Sequence, residues 1–210
     1  MAIFFNFGQQ VDGYKNKVIN EREARASAGI MFLLGLLSVF AVFQLRTLFW
    51  AELFSITFII EFFIRVIVNP QYAPYMMLGE LFVRHQAPDW VDAKPKQFAW
   101  ILGLLLGMVM TFYILFDLIS LVRLSICFAC LTLLYLESVF GICLGCILYQ
   151  KLNIPVENCP GDICETVVRR SYDKKKILWL FLFLVLFTAF FAGLKNWKYE
   201  AKPKIIIIDE

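Results

Sequence analysis

Four stretches of this chain, 28–45, 48–68, 98–116 and 177–194, are each eighteen to twenty-one residues long and predominantly apolar. An α-helix needs about 20 such residues to cross the hydrocarbon core of a bilayer. A fifth stretch, 118–149, has 32 residues and no proline, into which two spans with a turn would barely fit. It predicts one long helix, and so five spans in all. Composition agrees. Hydrophobic residues make up 60% of the 210 and charged residues 18%, with 22 Phe and a mean hydropathy of +0.71. Soluble domains average about 45–50% and 25% on the same two measures. A net charge of +3, spread along the chain, excludes a nucleic-acid binder.

The connections give the orientation. With five spans the termini lie on opposite sides. Fourteen Lys and Arg fall on the side of the N-terminus and six on the other. The positive-inside rule then places the N-terminus in the cytoplasm. Residues 1–26 lack the compact apolar core and small-residue cleavage site of a signal peptide. Asn20, followed three residues on by Glu23, reads instead as the cap of a helix starting ahead of the first apolar run. The connection 69–97 carries an apolar middle around Met76, Met77 and Phe82. That is too short to span, and predicts a brief helix in the headgroup region. Tyr75, Trp90 and Trp100 are its expected interface anchors. The resulting expectation is an all-α polytopic membrane protein. It has a cytoplasmic or interfacial segment 1–27, a four-span core 28–150, a cytoplasmic cysteine-containing loop 151–176, a fifth span 177–194 and a tail 195–210.

All six cysteines lie between positions 127 and 164. Cys127 and Cys130 fall inside the fourth span, where a free cysteine ordinarily serves as a small buried hydrophobe. Cys143 and Cys146 form a C-x-x-C near its cytoplasmic end, and Cys159 and Cys164 form C-P-G-D-I-C in the loop beyond. A reducing compartment argues against structural disulfides and for thiol chemistry or metal binding. The spacing of the four is looser than the paired knuckles of a structural zinc site. No cofactor is therefore expected, with zinc or an iron–sulfur cluster on Cys143, Cys146, Cys159 and Cys164 as the alternative. Nearby cations, Arg169, Arg170 and the lysines at 174–176, would favour a thiolate.

Ionisable residues inside spans are costly and mark functional or paired positions. Glu61 and Arg65 stand four apart and can pair on one helix. Glu52, Asp117 and Arg123 lie nearer the span ends. Glu137 sits well inside the fourth span with no basic neighbour in sequence. On a continuous helix it shares a stripe with Arg123, Cys127, Cys130, Gly141 and Gly145, while Cys143 and Cys146 point elsewhere. That stripe reads equally as the wall of a passage and as a G-x-x-x-G packing face. The single histidine, His85, cannot build a histidine metal site, and no phosphate-binding or dinucleotide motif occurs.

Five segments together resemble a known family. They are V-I-N-E-R-E-A-R-A at 18–26, N-P at 69–70 with V-R-H-Q-A-P-D-W-V at 83–91, K-Q-F-A-W at 96–100, L-E-S-V-F-G-I-C-L-G-C-I-L-Y at 136–149, and C-P-G-D-I-C at 159–164. The chain is similar, over about 18–165, to the bacterial integral-membrane family of domain of unknown function 4395. That resemblance implies a four-span unit, to which the fifth span and tail are added. It implies C-P-G-G-x-C in the loop, where Asp162 here replaces the second glycine. It also implies genes that neighbour thioredoxin-like and rhodanese-like proteins, and hence such partners.

The leading expectation is a membrane thiol-redox or sulfur-relay protein of the bacterial inner membrane, or of an equivalent organellar membrane. Its working residues would be Cys143, Cys146, Cys159 and Cys164, with Glu137 leading a proton or a reduced sulfur species toward them. The alternatives are a module clamped by metal on the four cysteines, and a non-catalytic subunit of a larger membrane complex.

Overall fold

The structure is a computed structural model and describes residues 7–14, 16–45, 47–116, 121–152 and 174–200. The chain divides into two compact units, Met1–Ser171 and Tyr172–Glu210. Among the described residues the first unit holds six α-helices: α1 Glu21–Leu45, α2 Phe49–Phe63, α3 Pro74–Val83, α4 Ala93–Leu115, α5 Leu121–Tyr135 and α6 Leu144–Lys151. One antiparallel ribbon, β1 Val18–Asn20 with β2 Trp90–Asp92, joins the segments that lead into α1 and α4. The second unit contains α7, Lys174–Glu200, which covers the expected fifth apolar stretch. The all-α expectation holds, with a three-residue ribbon added to it. Among the described residues three helical segments, Glu21–Leu45, Ala93–Leu115 and Val122–Phe140, are long and apolar enough to cross a membrane. Many of their large apolar side chains face outward, Phe40, Phe43, Phe112 and Phe128 among them.

Helix α1 starts where the capping pattern requires. Asn20 Oδ1 accepts from the backbone N–H of Arg22 at 3.2 Å, and Asn20 Nδ2 donates to Glu23 Oε1 at 2.9 Å. The same Oδ1 accepts from Asp89 N–H at 3.0 Å and so ties this start to the strand before α4. The expected short helix is α3. Its buried face, Met76, Met77 and Gly79, packs on α1, where Gly79 lies against the backbone of Glu23 and Ser27.

Helix α2 ends in a π-turn, Ile64–Val68, and there the expected Glu61–Arg65 pair is realised. Glu61 Oε1 accepts from Arg65 Nε at 2.8 Å and Nη2 at 2.6 Å. It also accepts from Met76 N–H at 3.1 Å, while Oε2 accepts from Tyr75 N–H at 2.8 Å. Glu61 thus caps α3 from another helix and satisfies two donors that every helix start leaves open. The Arg65 guanidinium lies 5.2 Å from the Phe62 ring and 5.0 Å from the Trp100 ring, and donates to Ser27 Oγ at 3.0 Å. Trp100 is consequently buried, with its ring edge-on to Phe7. Its expected role as an interface anchor is wrong, because stacking on a buried cation outweighs the usual preference of Trp for the membrane boundary.

The fourth long helix is not continuous. After α5 the backbone makes a π-turn, Leu136–Phe140, and then turns at Gly141, whose φ is +68°. Cys143 is extended, and α6 begins after it. The expected single helix over 118–149 is therefore two helices. The left-handed residue is one that glycine adopts without the steric penalty of a Cβ.

Candidate functional site

The break at Gly141 builds the site. It folds α6 across the first turns of α4, so that Gly145 sits against Ala99 and the Tyr149 ring lies 5.6 Å from Phe98. Of the G-x-x-x-G pair, Gly145 makes the close helix packing, whereas Gly141 makes the turn and lies beside the Arg25 guanidinium. Arg25 Nη2 also donates to the carbonyl of Val139 at 3.1 Å. One of the last carbonyls before the break is held in this way.

An open cleft of about 780 Å³ lies at this end of the unit. Its walls include Glu21 and Arg25 of α1, Asp92 and Lys96 at the start of α4, and Cys143 and Cys146 of α6. Lys96 is nearly fully buried and joins three helices. Its Nζ is 2.8 Å from Glu137 Oε1, 2.8 Å from Glu21 Oε2 and 3.1 Å from Glu21 Oε1. Glu137, without a basic neighbour in sequence, has one across the fold, 41 residues away. The stripe of a continuous helix does not survive the break. Cys143, expected on a different face, lines a cavity together with Glu137.

Cys143 is the N-cap of α6, and its sulfur accepts from Cys146 N–H at 3.3 Å. Both are free thiols, and both lie outside the three candidate spans. The side-chain hydrogen bond from Cys146 pulls the Cys143 thiol below its ordinary range, and the Lys96 ammonium pulls the same way. Burial and Glu137 oppose them without reversing the direction. Cys146 is pushed up by the same hydrogen bond, by burial and by the charge on Cys143. The pair is therefore asymmetric, with the Cys143 thiol pulled down and the Cys146 thiol pushed up. A helix N-terminus and a nearby cation are two of the settings that lower thiol pKa values.

A second cavity, of about 380 Å³, lies on the other side of α6 between α2, α4 and α5. It is mostly apolar, and Ile142 and Cys143 border both cavities. Cys130 is buried against Met110 and Ile114 as a small hydrophobe. Cys159 and Cys164, the flanking Arg169 and Arg170, and Asp117 lie outside the described residues. Among the described residues no three His, Cys, Asp or Glu side chains are grouped to hold a metal ion. Glu21 and Lys96 are site residues that sequence reasoning did not single out. Both stand in the motif segments at 18–26 and 96–100, which was the available signal.

Comparison with curated proteins and with solved structures finds no match. The sequence model of the family described as "Domain of unknown function (DUF4395)" matches residues 19–153. That region runs from β1 through α6 and contains both cavities and the Cys143–Cys146 pair, so the chain belongs to the domain of unknown function 4395 family.

Proposed function

We propose that this is an integral-membrane thiol-redox protein whose working pair is Cys143 and Cys146. The observation that carries the reading is the asymmetric C-x-x-C at the start of α6, open to the cleft beside Lys96. Cys143 attacks as the thiolate on a sulfur of a partner's disulfide and forms a mixed disulfide. Cys146 then loses its proton and attacks the Cys143 sulfur. The products are a Cys143–Cys146 disulfide and two thiols on the partner. Two electrons pass to the partner, and its thiols take up the two protons. Residues i and i+3 of a tight turn lie close enough for such a bridge. Glu137 and Glu21 hold Lys96 against the pair, and so position it.

The chain is read as crossing a bacterial inner membrane five times with the N-terminus in the cytoplasm. The starts of α1 and α4 and the end of α5 then share the cytoplasmic side with the cleft. Arg65 and Lys96 are used up in buried ion pairs, yet the excess of cations on that side persists without them. The width of the cleft suits a protein thiol partner, of the thioredoxin-like or rhodanese-like kind, better than it suits a closed small-molecule pocket.

Trapping tests this. On exposure to oxidised glutathione, Cys146→Ser should accumulate a glutathione adduct on Cys143, because the resolving thiol is gone. Cys143→Ser should form none on Cys146. Equal adducts in both variants, or none in either, contradict the assignment.

A further inference from the structure

Cys143 borders two very different spaces, and the second one has no role in exchange with a protein partner. The 380 Å³ cavity is within the size range of small-molecule sites. Aromatic residues Phe58, Phe62 and Trp100 contribute to its walls. Leu105, Leu144 and Leu148, also wall residues, are each about half exposed on the outer surface. The cavity therefore opens sideways, between α4 and α6, onto the face that would meet lipid. Trp100 is 2% exposed, and its indole N–H has no acceptor among the described residues. A buried donor left unpaired is costly, so an acceptor brought by a ligand would be rewarded. These features ask for a flat, apolar, lipid-soluble molecule with a carbonyl oxygen, placed beside a dithiol.

Resting on the thiol-redox reading, with the exchange run in reverse so that a partner dithiol leaves Cys143 and Cys146 reduced, we propose that this cavity binds a membrane quinone, which reoxidises the pair. In the oxidising direction the Cys143 thiolate bonds to a ring carbon of the quinone. The Cys146 thiolate then attacks the Cys143 sulfur, forming the S–S bond as the C–S bond breaks. The electron pair of that bond stays with the ring. The two thiol protons end on the two quinone oxygens, so one dithiol and one quinone give one disulfide and one hydroquinone. Glu137 borders this cavity and is paired with Lys96, which lines the cleft, so it stands where protons must pass between the cleft and the ring. Trp100 N–H holds a quinone carbonyl.

The test is a single anaerobic turnover of the reduced full chain, in detergent or lipid discs, with decylubiquinone. Quinone absorbance is followed, and the disulfide is mapped by peptide mass. One hydroquinone and one Cys143–Cys146 disulfide per chain are expected. Leu148→Trp, at the half-exposed rim, should slow the quinone reaction at least tenfold while exchange with oxidised glutathione stays unchanged. Trp100→Phe, which keeps the ring and removes the N–H, should raise the decylubiquinone concentration for half-maximal rate several-fold. The proposal is overturned if glutathione oxidises the pair and decylubiquinone does not. It is also overturned if Leu148→Trp leaves the quinone rate intact, or if a stable quinone–thiol adduct forms without a disulfide. Failure of glutathione and quinone alike would instead remove the thiol-redox reading on which it rests.

Discussion

Two buried ionic clusters, each with one member in the π-turn that ends a long helix, have opposite characters. Glu61–Arg65 lies four residues apart on one helix and is sealed on all sides. Every oxygen of Glu61 is hydrogen-bonded, and Arg65 is roofed by two rings. Glu21–Lys96–Glu137 is drawn from three distant segments, is one negative charge in excess, and borders an open cleft beside two thiols. The first cluster joins α2, α3 and α4 into a fixed frame. The second is what a reactive site looks like when it is hung on such a frame. Completely satisfied charge favours rigidity, whereas charge left partly uncompensated remains available to act on a neighbour.

The comparison breaks most visibly at Glu61. Glu61→Ala should cost about 5 kcal/mol, because it strands a buried guanidinium and two α3 donors. Thermal unfolding in detergent would show it, and a loss under 1 kcal/mol would mean that the frame does not depend on this pair. Lys96→Met should cost less, about 3 kcal/mol, since Glu21 and Glu137 can be wetted from the cleft. Unlike the Glu61 change, it should also shift the alkylation profile of Cys143 to higher pH.

The pH dependence sharpens the contrast within the site itself. A lowered pKa means more thiolate at a given pH, so Cys143 should react with iodoacetamide at lower pH than an ordinary cysteine. Cys146, whose pKa is raised, should lag behind it through the alkaline range. Coincident profiles would remove the asymmetry. Gly141→Ala should cost about 1–2 kcal/mol, for a left-handed residue with a Cβ pressed on Arg25, and should blunt the difference between the two thiols. The smallest effect belongs to His85, exposed beside Arg84. Its replacement by Ala should stay within about 0.5 kcal/mol.

The two clusters also differ in how far the chain announces them. The Glu61–Arg65 pair follows from helical periodicity, as does the Asn20 cap on α1, because both are interactions over three or four residues. The Lys96–Glu137 pair spans 41 positions and depends on the β1–β2 ribbon and on α6 crossing α4. Local pattern contains neither. The break at Gly141 was hidden for a related reason. A glycine in an apolar run serves a packing face or a turn equally well, and only the neighbouring Arg25 decides. Once the helix breaks, the wheel that turned Cys143 away from Glu137 no longer applies. Trp100 was misplaced because its partner, Arg65, comes from another helix.

The central claim is that Cys143 and Cys146 are a reversible two-electron pair. An equilibrium titration of the purified full chain in glutathione redox buffers, quenched by alkylation and mapped by peptide mass, tests it most directly. The account predicts a single transition that links Cys143 to Cys146 with a loss of about 2 Da, at a potential of about −200 to −270 mV, where dithiol exchange proteins work. Two independently alkylated thiols at every potential would contradict it.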